Sequence, residues 1–390
     1  MRARIGKVLG VGSVALLLAI SGCTAPDTGD GSTSTETETQ TSTDPGTVPD
    51  VPSEAVSIHI LDVAGAQRVT QRSIDKFVAE HPDIIKEVTW ESGGAPDLVG
   101  ILKPQVASGD NQIQLVLTGN DGLSAAMAED LWVDVVGEFG DRVSNQDNYL
   151  EGAAKQQLLS EGYGVLMTYT PSGPLLQYNP NEVAADQVPS TPDELLEWAE
   201  ANPGKFGYAR PANSGVGRTF LQALPYMLGD SDPKDPENGW DNTWEYLKEL
   251  NQYVDFYTTG TGQLVSNMAD GTWTMVPMTF GWDIEPRADG RAPNYLEVAQ
   301  FDEYTFITDA HFTAIPKGLS ADELSAVLNL LQFMLEPENN AAGWDTGYFY
   351  PGPSVEDATL DKAAEETQDL IAEFGRDWYQ DAIDSHEAEP

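Results

Sequence analysis

The sequence predicts an α/β protein built as two lobes. Strand-like and helix-like stretches alternate along most of the chain, the third strand-like stretch is almost wholly apolar, and 390 residues exceed one small core. Alternating β and α elements favour a sheet covered by helices. A strand buried on both faces reads as a continuous apolar run. Chains longer than about 250–300 residues divide into more than one core.

The elements follow in chain order. Arg2, Arg4 and Lys7 precede an uncharged apolar run, residues 8–20, that ends in Ser21-Gly22-Cys23. This is the charge and hydropathy pattern of a secretory signal peptide, and the run is shorter than the ~20 residues of a membrane span. Cys23 is the only cysteine, so no disulfide is expected. Its place after small residues resembles a bacterial lipobox, with residues 1–22 removed and the Cys23 thiol lipidated. An ordinary signal peptide with an incidental cysteine is the alternative. Residues 23–54 are rich in Thr and acid and poor in aliphatics. Such a stretch cannot bury enough apolar surface to order itself, so it reads as a disordered tether.

Residues 56–61 alternate apolar and polar as a strand does. A loop with Gly65 follows, then a helix over 68–80, stopped by His81-Pro82. Residues 85–90 read as a strand, 98–108 as a helix and 113–117 as the apolar strand. The loop 118–122 leads into a helix from 123; its Asn120 and Asp121 suit either ligand binding beyond a strand end or a plain helix cap. Residues 164–170 form a strand and 171–174 a turn. Thr191 and Glu194 mark a capped helix start. Residues 206–210 read as a short strand, and the loop 211–218 leads into a helix over 219–228. A helix over 242–254 has Trp244, Leu247 and Leu250 inward. Strands at 273–278 and 311–316, a helix over 322–335, a stiff turn at 348–353 and a closing helix over 361–383 complete the chain.

Composition narrows the function. Sixty-three acids against 20 Lys and Arg give a net charge of −43, which argues against nucleic-acid binding and against docking on anionic lipid headgroups. Four histidines without ligand spacing and no spare cysteine give no support for a metal site, and no nucleotide or nucleophile motif occurs. A carboxylate pair acting on a glycosidic bond stays open among so many acids.

Two sets of residues are candidates for binding. In Asn213-Ser214-Gly215-Val216-Gly217-Arg218, glycines allow close backbone approach, the helix start offers N–H donors and Arg218 adds charge, which suits an anionic group; a plain capped helix with Arg218 on the surface is the alternative. Tyr169, Phe280, Trp282, Tyr348 and Tyr350 fall at strand ends or in loops, where aromatic rings stack on planar or cationic groups; core packing is the alternative for each.

Residues 117–123, 208–220, 281–287 and 347–353 together resemble the extracellular solute-binding proteins of bacterial ABC importers, the YnjB-like branch in particular, over about residues 56–380. The resemblance implies a two-lobe periplasmic-binding-protein fold (type II, Venus-flytrap) with hinge crossovers near Thr168–Thr170 and Asp309–His311 and again after Gly347. It places lobe 1 at 55–168 plus 311–346 and lobe 2 at 169–310 plus 347–390. A non-enzymatic, cofactor-free monomer is implied, on the outer face of the cell membrane and attached by its lipid only. Its partners would be a small solute and membrane permease subunits. The expected ligand-binding residues are Gly65, Asn120, Asp121, Tyr169, Asn213, Ser214, Gly215, Arg218, Trp282, Asp283 and Tyr348. Arg218 suits an anion and the aromatics a cation, so a zwitterionic, thiamine-like or phosphorylated solute satisfies both. A secreted hydrolase and a solute-sensing receptor subunit are the alternatives.

Overall fold

The computed structural model describes residues 45–390; Cys23, the expected signal peptide and the tether up to residue 44 lie outside the described residues. The chain enters with β1 (Val56–Asp62), α1 (Gln67–Glu80), β2 (Ile85–Ser92), α2 (Leu98–Ser108), β3 (Leu115–Thr118) and α3 (Asn120–Met127). α4 (Val135–Phe139) and α5 (Glu151–Gln157) precede the long β4 (Gly164–Gly173), and β5 (Leu175–Tyr178) follows one residue later. Then come α6 (Pro192–Ala201), α7 (Gly215–Met227), α8 (Asp241–Leu250), α9 (Thr261–Ala269), β6 (Met275–Met278), α10 (Phe280–Ala288) and β7 (Glu297–Ala299). β8 (Phe306–Ala314), α11 (Ala321–Met334), α12 (Pro337–Asn340), β9 (Gly352–Pro353), α13 (Glu365–Phe374), α14 (Tyr379–Ser385) and β10 (Ala388–Glu389) close the chain. Among the described residues no helix is long and apolar enough to cross a membrane.

These elements form two sheets. The larger runs β2-β1-β3-β8-β4-β9, with β10 beside β8; the smaller runs β6-β5-β7. β1 is parallel to β2 and β3, as expected of strands joined by helical crossovers. β8 is antiparallel to both β3 and β4. Each sheet has its own apolar core. Ile58, Ile60, Leu115, Trp132 and Phe312 lie in the first, with Leu328 and Leu331 of α11. Leu175, Phe206, Phe220, Trp273, Phe280 and Tyr379 lie in the second. The predicted two-lobed α/β architecture is present, and paired β4 and β8, with β5 continuing from β4, carry the chain between the cores: Val165 of β4 and Phe312 of β8 pack in the first, Leu175 of β5 and Phe306 of β8 in the second.

Several local expectations are corrected. Residues 45–54 are not a free tether at their C-terminal end. Arg142 donates to the Pro49 and Asp50 carbonyls, each at 3.0 Å, and Ser53 N donates to Asp322 Oδ1 at 3.0 Å; Val48 packs against the first core and Pro52 is buried, so polar and apolar contacts together hold the stretch. β4 runs through the predicted turn at 171–173 because β8 pairs with it as far as Gly173↔Ile307. Residues 206–210 form no strand, only single bridges from Phe206 to Met275 and Ala209 to Thr258. There Gly207 lies against the Trp273 ring, where a Cβ would collide.

α7 begins at Gly215, four residues earlier than expected, since the Ser214 side chain caps it by accepting from Gly217 N at 3.0 Å. α8 buries Thr243, Tyr246 and Leu250, while Trp244 is 40% exposed: a second stripe at helical spacing faces inward. The closing helix is broken at Gly375. Phe349, Val355 and Ala358 join the first core and Tyr350 the second, so residues 347–358, assigned from sequence to lobe 2, are shared by both cores.

A polar cleft between the two cores

A cavity of about 460 Å³ opens between the two cores, with β4 and β8 at its hinge side. Its walls are loops that end strands and start helices: Val63 and Ala64 after β1, Gly119 and Asp121 at α3, Ser214 and Gly215 at α7, Thr279 and Gly281 at α10. The first turn of a helix leaves N–H groups without intrahelical partners and carries a partial positive charge. A cleft ringed by such starts is suited to hydrogen-bond acceptors and anionic groups.

The paired strands supply the next layer. In the β4–β8 register Thr168 stands opposite His311 and Thr170 opposite Asp309. Alternation along each strand brings Thr170, Ser172, Asp309 and His311 to the cavity. The His311 ring nitrogen Nδ1 lies 2.8 Å from Thr168 Oγ1. Burial pushes the His311 imidazole below its ordinary pKa; nearby Asp309 and Asp62 oppose this, while Arg68 and Arg218 add to it. His311 is therefore held neutral. Asp309 Oδ2 receives the Arg218 guanidinium from α7 at 3.4 Å, so the cation expected to attract an anion already faces a carboxylate.

Aromatic rings and an ion pair cover one side. Trp282, in the first turn of α10, meets Tyr348 edge-on at 5.8 Å. Arg68 of α1 lies 4.4 Å over the Tyr348 ring and donates to Glu285 of α10 at 2.5 Å. Burial raises the Tyr348 phenol to about 12, with Arg68 pulling the other way, so the ring is a neutral hydroxyl donor at any physiological pH.

Of the eleven residues singled out from the sequence, Asp121, Asn213, Ser214, Gly215, Arg218, Trp282 and Tyr348 are brought together in the cavity wall. Four are not part of that wall. Gly65 (φ +73°) turns the chain beside it, its Cα hydrogens near the Tyr348 hydroxyl. Asn120 is turned away, accepting from Gln156 at 3.1 Å. Tyr169 is buried against Gly152, where a Cβ would collide with its ring. Asp283 is 0% exposed and holds Arg287, Arg376, Tyr379 and Gln177 together; it is an anchor of the second core. Phe280 and Tyr350 also pack into that core. Phe280 and Trp282 lie in a helix, where a loop or strand end was expected. Sequence reasoning missed Ser172, Thr279, Asp309 and His311 as wall residues. The available signal was an acid and a histidine two apart in a strand otherwise of apolar residues and threonines.

The comparisons with known proteins agree with this architecture. Protein YnjB of Escherichia coli is 30% identical over 168 residues, covering 39% of this chain; the match spans 42% of that relative's length. Among solved structures, the GacH receptor of Streptomyces glaucescens, solved unliganded and with acarbose, has a TM-score of 0.62 at 16% identity, over 86% of this chain and 88% of its own. The spermidine/putrescine ABC transporter substrate-binding protein PotD of Streptococcus pneumoniae has a TM-score of 0.59 at 17% identity, over 86% and 93%. At these identities the likeness to both structures is one of fold. The model of the family described as bacterial extracellular solute-binding protein matches residues 72–372, most of the chain, and the chain belongs to that family.

Proposed function

We propose that the chain is the solute-capturing component of an ABC importer, which holds a small solute between its lobes and delivers it to a membrane permease. The observation that carries this reading is the cavity itself, walled from both cores and floored by the two strands that join them. A solute touching both walls stabilises whichever arrangement brings them together, by its differential affinity for that arrangement. The solved neighbours named for ABC transport support the delivery step. Asp121, Asn213, Ser214, Gly215, Arg218, Trp282 and Tyr348 are the contacts of the solute. Its mixed character follows from the wall: Asp121 faces a cationic part, Trp282 and Tyr348 a planar part, and helix starts an anionic part. Lipidation of Cys23 would keep a monomeric receptor near its permease on the outer face of the membrane.

The test is a solute screen on protein freed of co-purified ligand by unfolding and refolding. One solute class is expected to raise the Tm, by about 2.7 kcal/mol of added stability at a hundredfold excess over Kd. The same class is expected to reduce the radius of gyration in X-ray scattering. A screen in which neither quantity moves for any solute overturns the reading.

A further inference from the structure

The starts of five helices border the cleft; three of them already have a carboxylate, and at a fourth, α9, the Thr261 hydroxyl is paired with Ser214 Oγ at 2.7 Å. Asp62 accepts from Ala64, Ala66 and Gln67 N at 2.9–3.1 Å at the start of α1. Asp121 accepts from Gly122 N at 2.9 Å in the first turn of α3. Asp309 stands at the start of α7, with Oδ2 3.2 Å from where a Cβ on Gly215 would be. The start of α10 has none on the cavity side, because its own first-turn acid, Asp283, is committed to two arginines and Tyr379 in the core.

A second, independent observation falls at the same place. Thr279, the residue before α10, is 4% exposed and its side chain does not cap the helix. Ser214 in the equivalent position of α7 does cap, and also bonds Thr261. Ser172, at the end of β4, is 7% exposed, and neither its hydroxyl nor that of Thr279 has a hydrogen-bond partner among the described residues. Both line the cavity. They belong to adjoining backbone: the Cα of Gly173, next to Ser172, packs on the carbonyl of Met278, next to Thr279. Neither hydroxyl is sealed inside the protein; both open onto the cavity, and two of them beside a helix start without an anion form a set of donors lacking an acceptor.

The geometry points to an oxyanion seat at the start of α10, in which a carboxylate, phosphate or sulfate group of the solute accepts hydrogen bonds from Thr279 Oγ1, Ser172 Oγ and the first-turn N–H groups. The seat rests on the capture reading above and names the part of the solute that it recognises. It is distinct from Arg218, whose charge faces Asp309. Anions bind at helix starts because several N–H dipoles converge there, and hydrogen bonds to a charged acceptor are about twice as strong as neutral ones. The seat therefore discriminates on the oxyanion more strongly than on the rest of the solute.

The test pairs each oxyanion probe with a counterpart lacking that group. Phosphoethanolamine is set against ethanolamine, β-alanine against its amide, and a wider panel of phosphorylated, sulfated and carboxylated solutes against their alcohols and amides. Binding to the full chain is read by Tm and titration calorimetry. The oxyanion member of a pair is expected to bind at least tenfold more tightly, and phosphate against carboxylate arms identify which oxyanion is taken. Thr279→Val is expected to weaken the tightest probe at least tenfold, Thr279→Ser to restore it, and Ser172→Ala to weaken it several-fold. The ligand-free Tm of each variant reports its fold. Pairs that bind equally, or a folded Thr279→Val that binds like the wild type, overturn the seat and leave solute capture standing. A chain that responds to no member of any pair overturns both.

Discussion

Trp282 and Asp283 are neighbours in one motif and have opposite fates. On a helix, adjacent side chains point about 100° apart, so Trp282 faces the cleft while Asp283 enters the second core. The aromatic content of residues 280–283 was legible in the sequence, but which of its side chains would reach solvent was not, because the helix start at Phe280 sets the rotation. Trp282 touches Tyr348 edge-on, and Arg291 lies 5.8 Å over its ring, so its position is defined without a ligand. Trp282→Ala is expected to weaken solute binding by more than about 1 kcal/mol through lost ring contact. Calorimetry with the tightest solute from the screen checks this, and an unchanged Kd in a folded variant makes Trp282 part of the wall only.

At the scale of the element, α10 is where core and cleft meet. Its N-terminal turn borders the cavity, and its body carries Asp283 to Arg287 at 2.6 Å, to Tyr379 at 2.6 Å and to Arg376 at 3.1 Å. Two guanidiniums and a phenol from three elements thus converge on one carboxylate with no solvent access. Gly281 lets the Tyr348 backbone carbonyl approach where any Cβ would collide, which fixes α10 against the segment shared by both cores. Removing one partner of a buried ion pair leaves the other charge unmet and costs about 3–5 kcal/mol. Asp283→Ala is therefore expected to lower stability by that amount in denaturant titration. A midpoint close to the wild type would mean that Arg287 and Arg376 find other acceptors, such as the Phe374 and Leu296 carbonyls that they already contact.

For the whole molecule, net charge is the dominant surface property. With 63 acids and 20 Lys and Arg, most surface carboxylates have no cation to pair with. Self-repulsion of this kind disfavours the compact state, and salt screens it, the Debye length falling from about 10 Å at 0.1 M to about 3 Å at 1 M. The ligand-free Tm is expected to rise as sodium chloride increases over that range. A flat or falling Tm would show that internal pairs such as Arg68–Glu285 and Arg72–Asp345 outweigh surface repulsion.

Local rules run far in this chain. Periodicity, caps and breakers determined the order of most strands and helices and the α/β class, because each depends on residues within a few positions of one another, whereas the two-lobed plan came from chain length and the family resemblance. They also brought out Ser214 and Arg218, since a capped, glycine-rich helix start is a local pattern. Tertiary structure alone decided which charges meet. Arg218 faces Asp309 across 91 positions and Asp283 receives Arg376 across 93, distances over which no sequence period operates. The same holds for Ser172 and Thr279: a hydroxyl's partner depends on what the other lobe presents, and here two of them converge on a cavity rather than on the protein itself.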